Sequence, residues 1–314
     1  MKKRHLISAV AILLALMLLG LSCGALAEGK TFGVLSFLNV TEEEDHELGA
    51  IRQSMREILL LDGVLEQNDT NVPSGRPVYR YYDTLNTMLM GLQAGEVNAI
   101  NLPYYTAKYL CSANDNLMAT MEYHPEKATE ITDWALGWIS DGYSFMLKEE
   151  NAALRDAFDA QITAMKEDGT LEQLRQRYVE DVITGGDPDA VEPEIFPGAP
   201  TIRVAVTGDR PPMDYVSAGG EPLGFNTALI AEIAKGLGIN VEFVNVNCAA
   251  RGIALATGVC DIVFWMEVGD FENWEGADFE DQPENTLVTD PYLSVSLWWA
   301  VRADSPVVNV YRDQ

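Results

Sequence analysis

Basic residues and histidine are scarce in this chain of 314 residues. It has 21 Lys+Arg against 48 Asp+Glu, and only 3 His, which gives a formal net charge of −27. Binding to nucleic-acid phosphates or to an anionic membrane surface depends on Lys and Arg, so this balance argues against both partners. The 4 cysteines do not show the CxxC or Cys/His spacing of a zinc site.

Apolar residues, in contrast, are abundant. They make up 47% of the chain, which is ample for a packed core and excludes disorder over the whole length. At roughly 150 residues per domain, the length predicts one large domain or two medium ones.

The N-terminal segment has the pattern of a secretory signal. Lys2, Lys3 and Arg4 precede an apolar stretch over residues 6–21, and Ala25-Leu26-Ala27 is a small-x-small cleavage site. We predict that residues 1–27 form a signal peptide and that the protein is exported to the periplasm or the cell surface. The alternative, a membrane anchor, would need about 20 spanning residues, and this run is short. Cleavage removes three positive charges and no acid, so −27 becomes −30 in the mature chain.

The cysteines leave two questions open. Cys23 follows Gly-Leu-Ser, which resembles a lipoprotein box with its leucine one place too close, so a lipid anchor at Cys23 is the less favoured reading. Cys111, Cys248 and Cys260 remain after cleavage, and an odd number excludes complete pairing. Export permits a Cys248–Cys260 disulfide, but nothing in the spacing requires one.

Short β-rich runs alternate with helical patterns along the rest of the chain. The predicted strands span residues 30–38, 78–82, 97–102, 142–147, 202–206, 241–246, 261–265 and 292–301. The predicted helices span residues 41–61, 84–95, 171–179, 224–237 and 249–257, and a further amphipathic helix ends at Gly169. This alternation predicts an α/β fold with a mainly parallel sheet. Four prolines and three glycines mark residues 184–200 as a linker.

A short motif occurs once on each side of that linker. Residues 92–100 and residues 255–263 both read Leu-x-x-Gly-x-x-Asn/Asp-x-Ile/Val. Such a motif describes a helix, a glycine cap, a tight turn and a buried strand. Its two copies predict two lobes of similar build, with a cleft between them in which a ligand is enclosed.

The second unit resembles lobe 1 of the family 3 extracellular solute-binding proteins, the amino-acid-type receptors of ABC transporters. The matching segments, in family order, are Ile202-Arg-Val-Ala-Val206, Pro211-Pro-Met-Asp-Tyr215, Pro222-Leu-Gly-Phe-Asn226, Asp261-Ile-Val263 and Thr289-Asp-Pro-Tyr292. The first unit is similar to lobe 2 of that family, on residues 30–39, 92–103 and 143–178. The resemblance implies a two-lobed α/β fold of the type II periplasmic-binding-protein class, with a hinge and an interlobe cleft.

The order of the lobes departs from the family, which runs from lobe 1 to lobe 2 and back to lobe 1. We therefore expect a circular permutation, in which residues 184–200 join the former ends. The expected organisation has a lobe 2-like unit over 28–142, a return strand and helices over 143–183, and a lobe 1-like unit over 201–314. The alternative is a fragment of a tandem array whose halves do not belong together.

The charged groups that hold an amino acid in this family are missing at their usual places. The family's carboxylate-binding arginine would lie within residues 265–290, and no Lys or Arg occurs from Gly252 to Val301. The family's lobe 2 aspartate is replaced by Asn101. With the excess of acid, this favours a neutral or cationic solute, amino-acid-related or not, over a plain α-amino acid.

The resemblance places a different set of residues at the cleft. Each has an ordinary alternative role in the core, in a cap or as a solvated charge. The candidate ligand-binding residues are Asp209, Arg210, Tyr215, Phe225, Trp265 and Glu267 of the lobe 1 part, and Ser36, Asn39, Thr41, Asn101 and Tyr104 of the lobe 2 part. We predict no catalytic residue, no metal ligand and no cofactor.

Residues 267–284 carry eight acids and no base. A solvated loop is the favoured interpretation, because charge runs usually face water. A calcium site, or binding of a cation between carboxylates and tryptophans, are the alternatives.

The favoured function is an exported receptor that delivers a small polar solute to a membrane permease of an ABC-type system. A ligand-sensing or regulatory module on the same fold, without transport, is the alternative. An enzyme, such as a dehydratase-like relative, ranks last, because no paired acid and base are visible.

Overall fold

The computed structural model describes residues 31–35, 61–62, 65–67, 78–119, 121–123, 127–187, 190–267 and 283–304. The predicted signal peptide, most of the predicted helix over 41–61 and most of the acidic stretch therefore lie outside the described residues. Among the helices that the structure describes, none is long and apolar enough to cross a membrane.

Strands and helices alternate through most of the described chain. The strands are β1 (Thr31–Leu35), β2 (Leu65–Gln67), β3 (Val78–Tyr82), β4 (Ala99–Pro103), β5 (Leu117–Ala119), β6 (Met121–Tyr123), β7 (Ser140–Lys148), β8 (Thr201–Val206), β9 (Asp209–Arg210), β10 (Asp214–Val216), β11 (Pro222–Leu223), β12 (Asn240–Asn245), β13 (Ile262–Glu267), β14 (Thr286–Val288) and β15 (Leu293–Arg302). The α-helices are α1 (Leu85–Gln93), α2 (Tyr104–Ala113), α3 (Glu130–Ile139), α4 (Ala152–Glu167), α5 (Thr170–Arg175), α6 (Asp181–Ile183), α7 (Phe225–Leu237) and α8 (Arg251–Ala256). A π-helical stretch, Gln176–Glu180, joins α5 to α6.

The main sheet has two parallel halves joined by antiparallel strands. Its order is β12-β8-β13-β7-β15-β4-β1-β3. In the first half β8 pairs in parallel with β12 and β13, and in the second half β1 pairs in parallel with β3 and β4. We call the half around β8 lobe 1 and the half around β1 lobe 2.

The strand β15 runs through both lobes. Its residues Leu293–Ser296 pair with β7, which is itself antiparallel to β13 of lobe 1. Its residues Leu297–Val301 pair with β4 of lobe 2. A strand shared in this way holds the two lobes in one sheet, and the predicted strands near residues 31 and 292–301 therefore lie in the same sheet rather than in separate domains.

Each lobe has its own apolar core. The lobe 1 core includes Phe145, Phe158 and Phe225, which are fully buried. The smaller lobe 2 core includes Met88 and Leu92 of α1. This division follows from the sheet, because each half needs helices to cover its own apolar face.

The predicted strands and helices within the described residues are present, with ends that differ by a few residues. The sequence pattern does not predict the helices α2 and α3. The sequence of α2, YYTAKYLCSA, is rich in aromatic and polar residues of modest helix propensity. Its buried Thr106 and Ala107 pack on lobe 2, so tertiary contacts stabilise a helix that the local pattern does not indicate.

The predicted linker is attached to lobe 1 by specific contacts. Its described residues form no helix or strand, but the Val191 amide donates to the Pro222 carbonyl at 2.9 Å, and the Phe196 amide donates to Asn240 Oδ1 at 2.8 Å. Val191 is buried in the lobe 1 core. The composition of the segment therefore indicates its lack of regular structure but not its packing.

Candidate functional site

The carboxyl ends of β8, β12 and β13 lie at one edge of lobe 1. In open α/β sheets this edge is the usual place for ligands. After Val206 the chain passes through Thr207 and Gly208 into the hairpin formed by β9 and β10. Gly208 has a φ of 73°, a left-handed conformation that glycine adopts without steric cost.

A buried carboxylate lies behind this turn. Asp214 is 2% exposed and accepts hydrogen bonds from the hydroxyl and the amide of Thr207. Burial raises the pKa of Asp214 to about 6, against the opposing effect of the nearby Arg210 charge. Near neutral pH most molecules therefore hold an aspartate anion at this position.

Two arginines meet at one thiol beside this carboxylate. Arg210 Nη2 lies 2.6 Å from Cys248 Sγ, and Arg251 Nη2 lies 3.3 Å from the same sulfur. Arg251 also donates to the carbonyls of Cys248 and Phe264, at 3.2 and 2.5 Å. These contacts fix Arg251, the first residue of α8, against the edge of the sheet.

Arg210 retains an unused donor. Burial lowers the pKa of its guanidinium, but Cys248, Asp214 and other neighbouring groups outweigh burial and raise it, so the group is charged. Its Nε is buried and has no hydrogen-bond partner among the described residues. Buried polar groups in native proteins are nearly always paired, so this donor indicates a missing acceptor.

Two further buried polar atoms lack a partner within the described part of lobe 1. They are Trp265 Nε1 and Ser144 Oγ, and their residues are 5% and 0% exposed. Trp265 and Ser144 are directly opposed across the β13–β7 pair, so both side chains lie on the same face of the sheet. One acceptor on this face would serve the indole, and the serine hydroxyl can donate or accept.

A tyrosine hydrogen bond lies on the other face of lobe 1. Tyr292 donates its hydroxyl to Asn226 Oδ1 at 2.9 Å, and burial raises the pKa of Tyr292 well above its usual value. Its ring stacks with that of Tyr143 at a centroid distance of 6.3 Å. Because the Tyr292 phenol stays neutral, this pair contributes packing and a hydrogen bond rather than a charge.

One hydrogen bond connects the site to lobe 2. Asp209 Oδ2 accepts from the amide of Leu85, the first residue of α1, at 3.1 Å. A carboxylate at a helix N-terminus satisfies an amide that has no partner in the helix and interacts favourably with the helix dipole. Asp209 therefore links the lobes directly.

The other lobe 1 candidates lie apart from this cluster. Phe225 is fully buried in the lobe 1 core. It therefore packs in the core, which was the alternative to the predicted role in ligand binding. Tyr215 is half-buried and faces Tyr109 of α2, with ring centroids 6.4 Å apart. Glu267 ends β13 opposite Gly142, and its side chain is outside the described residues.

The lobe 2 candidates form no cluster in the described structure. Asn101 is half-buried on β4, opposite Trp299 of β15. Tyr104 begins α2 and packs its ring against that of Trp298, at a centroid distance of 4.5 Å. The remaining candidates, Ser36, Asn39 and Thr41, lie outside the described residues.

Sequence reasoning missed Thr207, Asp214, Cys248 and Arg251 as site residues. Arg251 immediately precedes the stretch from Gly252 to Val301, which contains no Lys or Arg. The family's carboxylate-binding arginine was expected within residues 265–290, so Arg251 was not considered. The structure provides cationic groups at the edge of lobe 1 from the β9 hairpin and from α8 instead. Asp214 was visible only as part of the Pro-Pro-Met-Asp-Tyr motif.

The three cysteines that the structure describes are thiols rather than disulfide partners. The Cys248–Cys260 disulfide that export permits is not formed. Cys248 and Cys260 are buried, and Cys111 is partly buried. Burial raises the pKa of Cys111 to about 11. Within the described residues, no group of three or more His, Cys, Asp and Glu is placed to hold a metal ion.

Comparison with known families identifies the lobe 1 segment. Residues 202–268 match the sequence model of the bacterial extracellular solute-binding proteins, family 3. This match spans β8 to β13, the segment that forms the site described above. No curated protein matches the chain in sequence.

Solved structures with a similar arrangement have little sequence identity to the chain. The ligand-binding component of an ABC-type import system from Staphylococcus aureus, with zinc bound, is 9% identical with a TM-score of 0.38, and the match covers 87% of this chain and 65% of that one. The GluR0 ligand-binding core from Nostoc punctiforme, in complex with L-glutamate, is 11% identical with a TM-score of 0.34, covering 90% of both chains. A mutant of the OxyR2 regulatory domain from Vibrio vulnificus, with sulfate bound, is 11% identical with a TM-score of 0.37, covering 92% of this chain and 97% of that one. The chain thus spans less than two thirds of the length of the Staphylococcus aureus protein.

The two parallel half-sheets, joined by the shared strand β15, form a two-lobed α/β protein, as the sequence predicted. The predicted resemblance to the family 3 extracellular solute-binding proteins is confirmed over residues 202–268.

Proposed function

We propose that this protein is an exported receptor that binds a small polar solute between its lobes and presents it to the permease of an ABC-type uptake system. The observation that carries the proposal is the unpartnered Nε of Arg210, buried at the edge of lobe 1 where solutes bind in open α/β sheets. A binding role also agrees with the family that matches residues 202–268.

The charges at the site narrow the solute. Arg210 and Arg251 bring two positive charges, and Asp209 and Asp214 bring two carboxylates that offset them. A solute that is neutral overall, with an acceptor oxygen for Arg210, fits this balance better than a free anion. The sequence predicted a neutral or cationic solute, and we now propose one that is neutral overall.

The chain order supports a permuted binding protein. The strands β1 and β15 belong to one sheet, and β7 returns antiparallel to β13 of lobe 1. We propose residues 28–142 as the lobe 2-like unit, 143–183 as its return, 184–200 as the joining linker and 201–314 as the lobe 1-like unit. Residues 1–27 would direct export, and the chain would lie outside the cytoplasm.

A thermal-unfolding screen of the mature chain against amino acids, amines, short peptides and divalent metals tests the proposal. A true solute should raise the midpoint, and Arg210→Met should weaken its binding at least tenfold, as expected for a lost charge-assisted hydrogen bond of about 1.5–3 kcal/mol. Lys235→Met is a matched control, because it removes one positive charge from an exposed position on α7.

Trp265→Phe keeps an aromatic ring and removes the indole donor, so it tests the site even if Arg210→Met does not fold. A solute that stabilises the wild type and both site variants equally would contradict the location of the site. Strong stabilisation by an ordinary α-amino acid would contradict the idea that the missing family arginine matters.

Transport is tested separately from binding. If the protein feeds an ABC permease, the liganded mature chain should stimulate the ATPase of its permease complex in proteoliposomes, and Arg210→Met should not. Binding without stimulation, together with a kinase or cyclase encoded next to the protein, would favour the sensing alternative.

A further inference from the structure

Outside the arginine cluster, the described structure contains an open surface cavity of about 500 Å³, and six of its eleven lining residues, Asp187 among them, are exposed. Small-molecule sites in proteins have volumes of about 300–1,000 Å³, so the space suits a small ligand. Its walls come from α2 of lobe 2, from the end of α6 with the following residues 184–187, and from the β10–β11 hairpin of lobe 1.

This cavity lies on the opposite side of β10 from the arginine cluster. Successive residues of a strand point to opposite faces. Asp214 turns inward to Thr207 and lies near Arg210, whereas its neighbour Tyr215 lines the cavity. An occupant of the cavity would therefore be separate from a solute held by Arg210.

Two tyrosine rings that contact each other form part of the wall. The rings of Tyr109 and Tyr215 have centroids 6.4 Å apart and an interplanar angle of 41°. Burial, with smaller effects from Tyr109 and Asp187, raises the pKa of Tyr215 to about 12, so its phenol is neutral at physiological pH. Neutral aromatic faces attract cations through the ring quadrupole.

The polar part of the wall is negative. Among the residues that line the cavity, Asp187 is acidic and none is Lys, Arg or His. The continuous helical stretch from Thr170 to Ile183 ends at the cavity, and a helix C-terminus carries a partial negative charge. The Asp187 carboxylate and the two tyrosine rings favour a positive ligand.

We propose that this cavity binds a small organic ammonium ion, at a second site that is independent of the solute site at Arg210. Its walls belong to both lobes, so a bound cation would favour the lobe arrangement in which Tyr109 and Tyr215 face each other. An acidic protein concentrates such cations near its surface, which assists their binding.

Isothermal titration of the full mature chain with choline tests this site, with 3,3-dimethyl-1-butanol as the neutral compound of the same shape. We expect choline to bind and the neutral compound to bind at least tenfold more weakly. Tyr215→Leu should weaken choline binding about tenfold, through loss of the cation–π contact. Tyr215→Phe keeps the ring and should bind as the wild type does.

Asp187→Asn should weaken choline binding a few-fold, and the matched control Glu150→Gln, an exposed acid just before α4, should not. Equal binding of the neutral compound, absence of binding at about 10 mM choline, or binding unaffected by both Tyr215→Leu and Asp187→Asn would each overturn the proposal. Thermal unfolding of each variant, recorded in parallel, confirms that it is folded.

Discussion

The two lobes contain the same helix–glycine–strand unit, and the two copies differ in what surrounds them. In lobe 2, α1 ends at Gln93, Gly95 has a φ of 76°, and β4 begins at Ala99. In lobe 1, α8 ends at Ala256, Gly258 has a φ of 74°, and β13 begins at Ile262.

Even the capping hydrogen bonds agree. In lobe 2 the amides of Gly95 and Glu96 donate to the carbonyls of Leu92 and Gly91, at 3.1 and 2.9 Å. In lobe 1 the amides of Gly258 and Val259 donate to the carbonyls of Leu255 and Ala254, at the same two distances. An arginine from a neighbouring strand covers each end: Arg302 Nη1 donates to the Leu92 carbonyl, and Arg203 Nη1 donates to the Gly258 carbonyl. The local sequence thus determines the cap in both lobes.

The lobes differ in how the arginine is paired. Arg203 forms two side-chain hydrogen bonds with Asp261, the acidic residue of the lobe 1 motif, at 2.7 and 3.1 Å. Arg302 pairs instead with Asp304, whose side chain is 85% exposed. Lobe 1 therefore has the less exposed ion pair, with two hydrogen bonds, and it also carries the cluster of charged groups at the edge of its sheet.

The largest expected effect compares the first residues of two helices. Phe225 begins α7 in lobe 1 and Leu85 begins α1 in lobe 2, and both are buried. Phe225→Ala should lower the free energy of unfolding by about 3–5 kcal/mol and Leu85→Ala by about 2–5 kcal/mol, because each leaves a cavity. Chemical denaturation measures both. If Phe225→Ala leaves stability unchanged but weakens solute binding, Phe225 lines the cleft as the sequence predicted.

The next effect concerns Asp214, a buried acid at the lobe 1 edge. Its folded-state pKa of about 6 is above the usual 3.8, so the folded protein binds a proton more tightly than the unfolded chain. Stability should therefore rise as pH falls from above 6 towards 4, by about 2–3 kcal/mol at most. Asp214→Asn should flatten this part of the curve, whereas Asp115→Asn, at an exposed position, should not. Identical curves for the two variants would contradict the assignment.

A smaller expected effect on stability distinguishes the Arg203–Asp261 pair of lobe 1 from the Arg302–Asp304 pair. Asp261→Ala should cost about 1–3 kcal/mol in chemical denaturation, because it removes bonds to both the side chain and the amide of Arg203. Asp304→Ala should cost less than about 1 kcal/mol, since exposed pairs contribute little. Burial raises the pKa of Asp261, but the Arg203 hydrogen bonds and charge outweigh it and hold the pKa below its usual value. Its contribution should thus be complete at neutral pH and disappear as pH falls through that lowered pKa. Equal costs for the two variants would remove the distinction between the lobes.

The smallest expected effect tests the glycine caps, which both lobes contain. Gly95→Ala and Gly258→Ala should each cost about 1–2 kcal/mol, because a left-handed conformation is unfavourable for a residue with a Cβ. A Cβ at Gly95 would lie 3.2 Å from Arg302 Nη1, and one at Gly258 would lie 3.7 Å from Lys148 Nζ, and both atoms are at the ends of flexible side chains. We expect equal costs from thermal unfolding. A clear difference would show that the surroundings, rather than the backbone, determine the cap.

Much of the fold could be predicted from sequence because its signals are local. The glycines at positions 95, 169, 238 and 258 mark helix ends, and all four have positive φ. The short apolar strands alternate with these helices, which is enough to indicate an α/β sheet. Only tertiary contacts reveal α2, because six of its ten residues are Tyr, Thr, Cys or Ser, which have modest helix propensity.

The site was less predictable, because it is assembled from segments far apart in the chain. Arg210 was among the candidates, but its partner Cys248 is 38 residues away and Arg251 lies on a different element. Phe225 was predicted at the cleft and packs in the core instead, an outcome that depends on which face of α7 meets the sheet.

The sequence by itself determined the class of fold, the excess of acid and the two glycine-capped units, since each depends on residue type and short spacing. The tertiary structure decided which charges meet. It brought Arg210, Arg251 and Asp214 together at the edge of lobe 1, bonded Asp209 to α1 of lobe 2, and placed Tyr215 opposite Tyr109. The physical reason is that spacing along the chain fixes helix and strand periods, whereas the approach of distant side chains depends on how the sheet is ordered and covered.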